Sequence, residues 1–414
     1  MITEPLIVIA VCIVFYGAFS ARLSSTLLSA PMAFMLVGLA FGQAGLGIVS
    51  IEIDNAVLEG FGELTLGFIL FADAASTNSR NLVREALIPK RLLLVALPLT
   101  ILLGAATAMI LFPNLGWQEA ALIAAILAPT DAALGLAVVT SRYVPERIRQ
   151  AILVESGLND GLALPAVLLF AALAFSMMGI EGHGVGYWIG FAARQIIVGV
   201  IVGAIAGGLL GKFIHFADER EWIAHAFRNL TCIGVAVLTL FCAHIAGGNG
   251  FIAAFVGGLV FGSFCSKRAG SLTNFVEEEG QLFSLIIFFF FGAVLLPSAF
   301  SHFTTVCVLY AVLSLTVIRM APTALSLVGL KLKLPSTLFI GWFGPRGLAS
   351  ILFLLIAVEH EEMGRFSEIE AIVYVTVFLS VILHGATAAP FSKLYGGTAA
   401  AKKHADVDVV ATDT

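Results

Sequence analysis

The chain has 414 residues, 59 % of them hydrophobic and only 12 % charged, where an average soluble domain carries ~25 % charge. With a mean hydropathy of +1.02 it cannot supply the polar shell of a soluble enzyme, and a disordered chain or a disulfide-stapled secreted domain is excluded as well. What remains is an all-α polytopic membrane protein, whose 41 glycines and 13 prolines suit closely packed helices in lipid.

Thirteen windows of ~17–25 mostly apolar residues read as membrane-spanning helices. In chain order they are Pro5–Ala21, Pro31–Val49, Ala56–Ala72, Leu92–Phe112, Gln118–Ser141, Ala151–Phe175, Gly186–Phe213, Asn229–Ala246, Phe251–Cys265, Gln281–Pro297, Thr304–Leu330, Ser336–Val358 and Glu370–Leu394. The first has acidic Glu4 ahead of it and no clear cleavage site, so it reads as a retained span, not a signal peptide. The third carries Glu59 and Glu63 and ends near Asp73. These acids read as facing a vestibule, polar partners or a solvated helix end. Arg194 has no obvious acid in its window and reads as snorkelling or capping a helix end. The five cysteines all lie in apolar runs without paired spacing and read as small buried hydrophobes. His244 and His384 read as packing residues near span ends, and Glu277–Glu279 as a solvated charge run.

Lysines and arginines test the count. With the N-terminus outside and alternating spans, 18 of the 22 fall in inner loops or the tail, one (Arg365) falls outside, and Arg194, Arg319 and Arg346 lie within spans. That asymmetry is a positive-inside signal. It places the C-terminus in the cytoplasm of a cell with a multi-pass plasma membrane protein of this kind.

Charges inside spans are costly and mark function. In the fifth window, Ala128-Pro129-Thr130-Asp131 breaks the helix at mid-depth, because Pro129 removes a backbone donor. Such a break is tolerated only where it lines a cavity or is buried in protein. In the sixth, Glu155 and Asn159 share one helical face, and Ser156 and Asp160 share the adjacent one. Gly344-Pro345-Arg346-Gly347 predicts a second break in the twelfth window. Arg346 and Arg319 offer counter-charges to the acids. Divided as six spans, a linker and six spans, the chain has its two breaks at the fifth position of each half. The odd spacing makes the halves inverted repeats. Matched broken helices in inverted halves point to the binding site of a secondary transporter.

These residues resemble those of the sodium/proton antiporters of the cation:proton antiporter superfamily. The NhaP branch, which includes the animal sodium/proton exchangers, is the nearest likeness. Ala-Pro-Thr-Asp at 128–131, Glu-Ser-Gly-Leu-Asn-Asp-Gly at 155–161 and Gly-Pro-Arg-Gly at 344–347 carry it. The resemblance implies that Asp160 is the carboxylate shared by cation and proton. It implies that Thr130 and Ser156 offer oxygens, that Asp131 is the acid at the helix crossing, and that Glu155 and Arg319 form a stabilising ion pair. Asn159 stands where the electrogenic branch has a second Asp, which implies one-for-one, electroneutral exchange. A homodimer is also implied, with a single transporter domain over 1–395: a core around 92–175 and 304–394, a dimer scaffold around 5–72 and 229–297, and a linker helix around 186–213. Residues 396–414 read as a short cytoplasmic tail expected to be disordered, and no large regulatory tail like that of the animal members is expected. The Asp73-Ala74-Ala75 stretch departs from the family's glycine-rich pattern, so no role is carried onto Asp73.

The chemistry follows. A small hard cation such as Na⁺, Li⁺ or K⁺ is suited by oxygen ligands, and a carboxylate can hold a proton or the cation but not both. Competition for Asp160 then gives exchange. No cofactor and no nucleic-acid partner is expected. A channel would favour rings of ligands, and the sequence has one acidic cluster. An organic-anion symporter would be expected to place cationic or neutral groups, not Asp131, at the crossing. A membrane-embedded enzyme would need a grouped catalytic constellation that the eight histidines do not form.

Overall fold

The computed structural model describes residues 3–23, 26–49, 55–76, 87–176, 185–265, 269–358 and 367–398. These residues form helices joined by turns and short irregular stretches, with no strand among them. The helices are α1 (Thr3–Leu23), α2 (Ala30–Phe41), α3 (Asn55–Ser76), α4 (Leu87–Leu111), α5 (Trp117–Ile126), α6 (Ala132–Val139), α7 (Glu146–Ser176) and α8 (Val185–Glu219). They continue with α9 (His225–Ile245), α10 (Gly250–Cys265), α11 (Ala269–Phe290), α12 (Thr305–Leu315), α13 (Val317–Ser326), α14 (Leu334–Trp342), α15 (Leu348–Val358) and α16 (Ser367–Gly396). Each apolar window read from the sequence overlaps one helix or a pair separated by a break, but the second, Pro31–Val49, runs on into turns after α2 stops at Phe41. Seven helical stretches are long and apolar enough to cross a membrane on length and composition, and others are shorter apolar helices. Two of the short ones, Trp117–Ile126 and Leu348–Val358, follow from breaks: a window interrupted at its middle yields half-length helices.

The breaks have local causes. Pro129 and Pro345 each sit in a non-helical stretch, between α5 and α6 and between α14 and α15. A third interruption, not expected from the sequence, falls at Thr316 between α12 and α13 (φ −112°, ψ −89°). Two π-helical turns, Leu92–Ala96 in α4 and Phe291–Leu295 following α11, each end two residues before a proline, Pro98 or Pro297. The ring cannot take part in the ladder, and a π turn is a common way to absorb the mismatch.

Packing orders the helices around α10, which pairs most extensively with α8 and α3. Glycine allows the approach: a Cβ at Gly203 on α8 would meet the backbone of Ala253, and one at Gly258 would meet the backbone of Phe71 on α3. Small residues that let backbones touch are the usual substitute for a hydrophobic driving force in lipid. A second group joins α5, α7, α15 and α16. A large apolar cluster runs through both groups. Of the long helices α1 is the least buried and α16 the most.

Some expectations need correction. Cys12, Cys232 and Cys307 are buried, but Cys242 is exposed. Hydropathy cannot separate a buried small side chain from one facing lipid, since both environments are apolar. His384 is not near a span end. It lies well inside α16 and is 1 % exposed. The tenth window is preceded by three further helical turns, which carry Glu278 and Glu279; Glu278 is exposed and Glu279 partly so, in keeping with a solvated charge run. The tail beyond 398, and the loop residues Arg80, Arg84, Lys267, Arg268 and Arg365 used in the charge count, lie outside the described residues.

Candidate functional site

The two proline breaks meet, and each supplies what the other lacks. The Asp131 N–H donates to the Pro345 carbonyl at 2.8 Å, and Arg346 Nη1 donates to the Pro129 carbonyl at 3.0 Å. The last carbonyl of α5, at Ile126, accepts from Ser350 Oγ on α15 at 2.9 Å. Irregular backbone is therefore kept hydrogen-bonded inside protein, as a low-dielectric setting demands.

Asp131 stands where two helix N-termini converge. Its Oδ1 accepts from Leu134 N at 3.3 Å, in the first turn of α6, and its Oδ2 from Leu348 N at 2.5 Å, the first residue of α15. One carboxylate thus caps two half-helices and faces the positive end of both dipoles. Gly347 leaves room for it, since a Cβ there would run into the carboxylate.

Beside the crossing, α7 presents its polar turn. Glu155 is held in a bidentate ion pair with Arg319 of α13, Oε1 to Nη1 at 2.6 Å and Oε2 to Nη2 at 2.8 Å. Gly344 lies against that guanidinium with no space for a side chain. The Thr130 hydroxyl accepts from Asn159 Nδ2 at 2.7 Å and shares a hydrogen bond with Ser156 Oγ at 2.8 Å. Thr130 therefore joins both polar stripes of α7. Asp160, one residue on, is 2 % exposed, and its Oδ1 has no hydrogen-bond partner among the described residues. Asp131 is the charged group whose field reaches it.

All eight residues singled out from the sequence are buried here: Thr130, Asp131, Glu155, Ser156, Asn159, Asp160, Arg319 and Arg346. Arg346 is a buried cation that also serves the broken backbone. Its hydrogen bonds go to the carbonyls of Pro129 and Gly344, not to an acid, and its Nε and Nη2 have no partner among the described residues. A proline break frees carbonyls, and an arginine can serve those as well as a carboxylate. Outside the cluster, Glu63 on α3 meets His244 on α9 at 3.2 Å, both partly exposed. Glu59 and Asp73 are half-buried on the same helix, and Arg194 is exposed on α8.

Sequence reasoning missed a support on α16. The Arg346 N–H donates to Ser380 Oγ at 2.7 Å. Ser380 Oγ lies 3.2 Å from His384 Nδ1, and His384 Nε2 is 2.9 Å from the Trp342 carbonyl at the end of α14. With the ring proton on Nε2, Ser380 and His384 together tie down both sides of the second break. The i,i+4 spacing of a Ser and a His in an apolar helix was the available signal.

A model of the family described as "Sodium/hydrogen exchanger, transmembrane" matches residues 7–394. The K⁺/H⁺ antiporter NhaP of Alkalimonas amylolytica is 24 % identical over 398 residues, covering 94 % of this chain and 66 % of its own length. The Na⁺/H⁺ antiporter NhaG of Bacillus atrophaeus is 26 % identical over 296 residues, covering 68 % and 54 %. The chain thus spans between about half and two thirds of these curated relatives. The solved structure of the sodium proton antiporter MjNhaP1 from Methanocaldococcus jannaschii superposes with a TM-score of 0.76 at 21 % identity, covering 96 % of this chain and all of the other.

Proposed function

The chain belongs to the sodium/hydrogen exchanger family, and we propose that it exchanges a monovalent cation for a proton by alternating access, with Asp160 as the shared site. One observation carries the reading. Among the described residues that are buried, five side chains carry a formal charge: Asp131, Glu155, Asp160, Arg319 and Arg346. Three acids face two arginines. Glu155 is taken by Arg319, and Asp131 is held by two helix N-termini. Asp160 is left with an unfilled oxygen at the crossing of two broken helices.

A buried carboxylate is costly unless something neutralises it. A proton does so, and so does an alkali cation on the Asp160 oxygens, with the hydroxyls of Thr130 and Ser156 alongside. The two cannot bind together, so loading one on one side and the other on the opposite side gives antiport. The relatives' names divide between Na⁺ and K⁺, which makes the cation a question for the assay. We further read the protein as a homodimer in the plasma membrane, N-terminus outside and C-terminus in the cytoplasm. The helices around the crossing (92–175 and 304–394) move against a scaffold built from 5–72 and 229–297, with 186–213 as linker.

The test is proton flux in proteoliposomes on addition of Na⁺, K⁺ or Li⁺ in turn. The wild-type chain should respond to at least one cation. Asp160→Asn should fold and respond to none. Cation-driven proton movement at the wild-type rate by that variant would remove Asp160 from the mechanism.

A further inference from the structure

The helix that carries Asp160 also carries Pro165. Proline has no N–H, so the Gly161 carbonyl, four residues earlier, lacks its regular helical donor. A carbonyl orphaned at mid-membrane needs a partner from elsewhere. It has one: Asn249 Nδ2 donates to Gly161 O at 3.2 Å. Asn249 lies in the turn between α9 and α10 and is 1 % exposed. Its Oδ1 accepts from Ile252 N at 3.0 Å, capping the start of α10. Its main-chain N–H donates to the Gln195 carbonyl of α8 at 2.9 Å. The donor is thus fixed to α8 and α10, while the acceptor belongs to α7.

The contact around this bond is built for close approach. Gly157 and Gly161 share one face of α7, and a Cβ on either would run into Phe255 or Ile252 of α10. On its other sides α10 is seated against α8 and α3. The α7–α10 contact is therefore the place where the polar turn of α7 meets the group of helices centred on α10.

We propose that Asn249 is a positioning residue of the transport cycle: a latch that holds the Asp160 segment of α7 against α10 in this conformation, through the carbonyl that Pro165 leaves open. Gly161 directly follows Asp160, so the latch fixes the backbone on which the ion-binding carboxylate stands. This inference rests on the exchange cycle proposed above. When the crossing helices move relative to the scaffold, the two ends of the bond belong to different bodies and it must open. Removing the donor then disfavours the latched state, and the apparent cation affinities at the two membrane faces shift in opposite directions.

The experiment compares wild type, Asn249→Ser, Pro165→Ala and the double variant, reading exchange with each face exposed in turn and thermal unfolding in detergent. Serine keeps a cap for Ile252 but is too short to reach Gly161. Replacing Pro165 by alanine restores the helical donor, so the Gly161 carbonyl no longer depends on Asn249. Asn249→Ser should change the ratio of the KM values at the two faces by about tenfold with Pro165 in place, and by less than about twofold in the Pro165→Ala background, as expected for one buried hydrogen bond. A similar change in both backgrounds, or in neither, overturns the latch. If the wild-type chain exchanges no alkali cation, it is the functional reading that fails. The latch is then read from thermal unfolding, where Asn249→Ser should lower the midpoint only when Pro165 is present. Equal lowering in both backgrounds overturns it. Should Asn249→Ser not fold, recovery of folding in the double variant supports the latch, and failure of both variants overturns it.

Discussion

The Glu155–Arg319 pair permits a quantitative test of how the site is held together. Its geometry is a matched fork, 2.6 and 2.8 Å, with both side chains almost fully buried. Arg319→Met strands the Glu155 carboxylate, and Glu155→Leu strands the Arg319 guanidinium. Either change leaves an uncompensated charge in a low-dielectric interior, a cost of about 3–5 kcal/mol. If the two residues acted independently, the double variant would lose about 6–10 kcal/mol, twice that cost. It strands nothing, however, and replacing a buried pair by apolar side chains is often close to neutral. The expected coupling is therefore at least about 3 kcal/mol. Equilibrium unfolding of the purified protein in mixed micelles gives the four corners of the cycle. A double variant whose loss equals the sum of the single losses to within ~0.5 kcal/mol would refute the claim that each residue is buried only because the other is present.

Asp131→Asn keeps one acceptor oxygen but not two, so either Leu134 or Leu348 loses its cap together with the charge between the two helix ends. A loss of about 1–2 kcal/mol should appear as a lower unfolding midpoint, and an unchanged midpoint would argue that the capping contributes nothing. His384→Ala removes the donor to the Trp342 carbonyl and the neighbour of Ser380. Leaving such groups unpaired costs about 1–3 kcal/mol, measurable in the same assay, while His384→Gln should recover part of the loss. For exchange of one cation per proton, the ion gradient at which net flux reverses should not move when a membrane potential is imposed on the proteoliposomes. A reversal point that moves with voltage shows that a second group, with Asp131 the first to examine, also carries a proton.

What could be read from the sequence was whatever contradicted its surroundings. Pro129 and Asp131 in an otherwise apolar window, and Pro345 with Arg346 between glycines in another, were the signals of the two breaks, because a proline removes a backbone donor and a charge beside it has to be kept inside protein. Glu155 and Arg319 similarly demand a partner. The rest was hidden for a physical reason: uncharged polar residues are compatible with apolar helices, and their partners depend on which helices touch. Ser380, His384 and Asn249 become meaningful only when α16 is laid against the second break and the α9–α10 turn against α7. The break at Thr316 has no proline or glycine to mark it. Arg346 was legible as a buried cation but not as a donor to carbonyls, since that role appears only once the second proline break lies beside the first.

The charge balance of the interior bears on why such a site would couple two fluxes and not leak one. Among the described residues that are buried, Glu155 with Arg319 contributes no net charge, and Asp131 and Arg346 are of opposite sign, so the remaining charge is that of Asp160. With a proton or a cation bound, the buried cluster is neutral. With neither, it holds one unbalanced negative charge in a setting where each uncompensated ion costs several kcal/mol. In the exchange proposed above, a movement that carries Asp160 through the dry interior would therefore be open to the two loaded forms and closed to the empty one. Asn159 belongs to the same argument. A carboxylate there would add a second charge to neutralise, whereas the amide holds Thr130 at 2.7 Å and leaves the count at one. On that proposal coupling needs no separate gate: the two arginines and three acids among the described buried residues would make the empty carrier the state least able to cross.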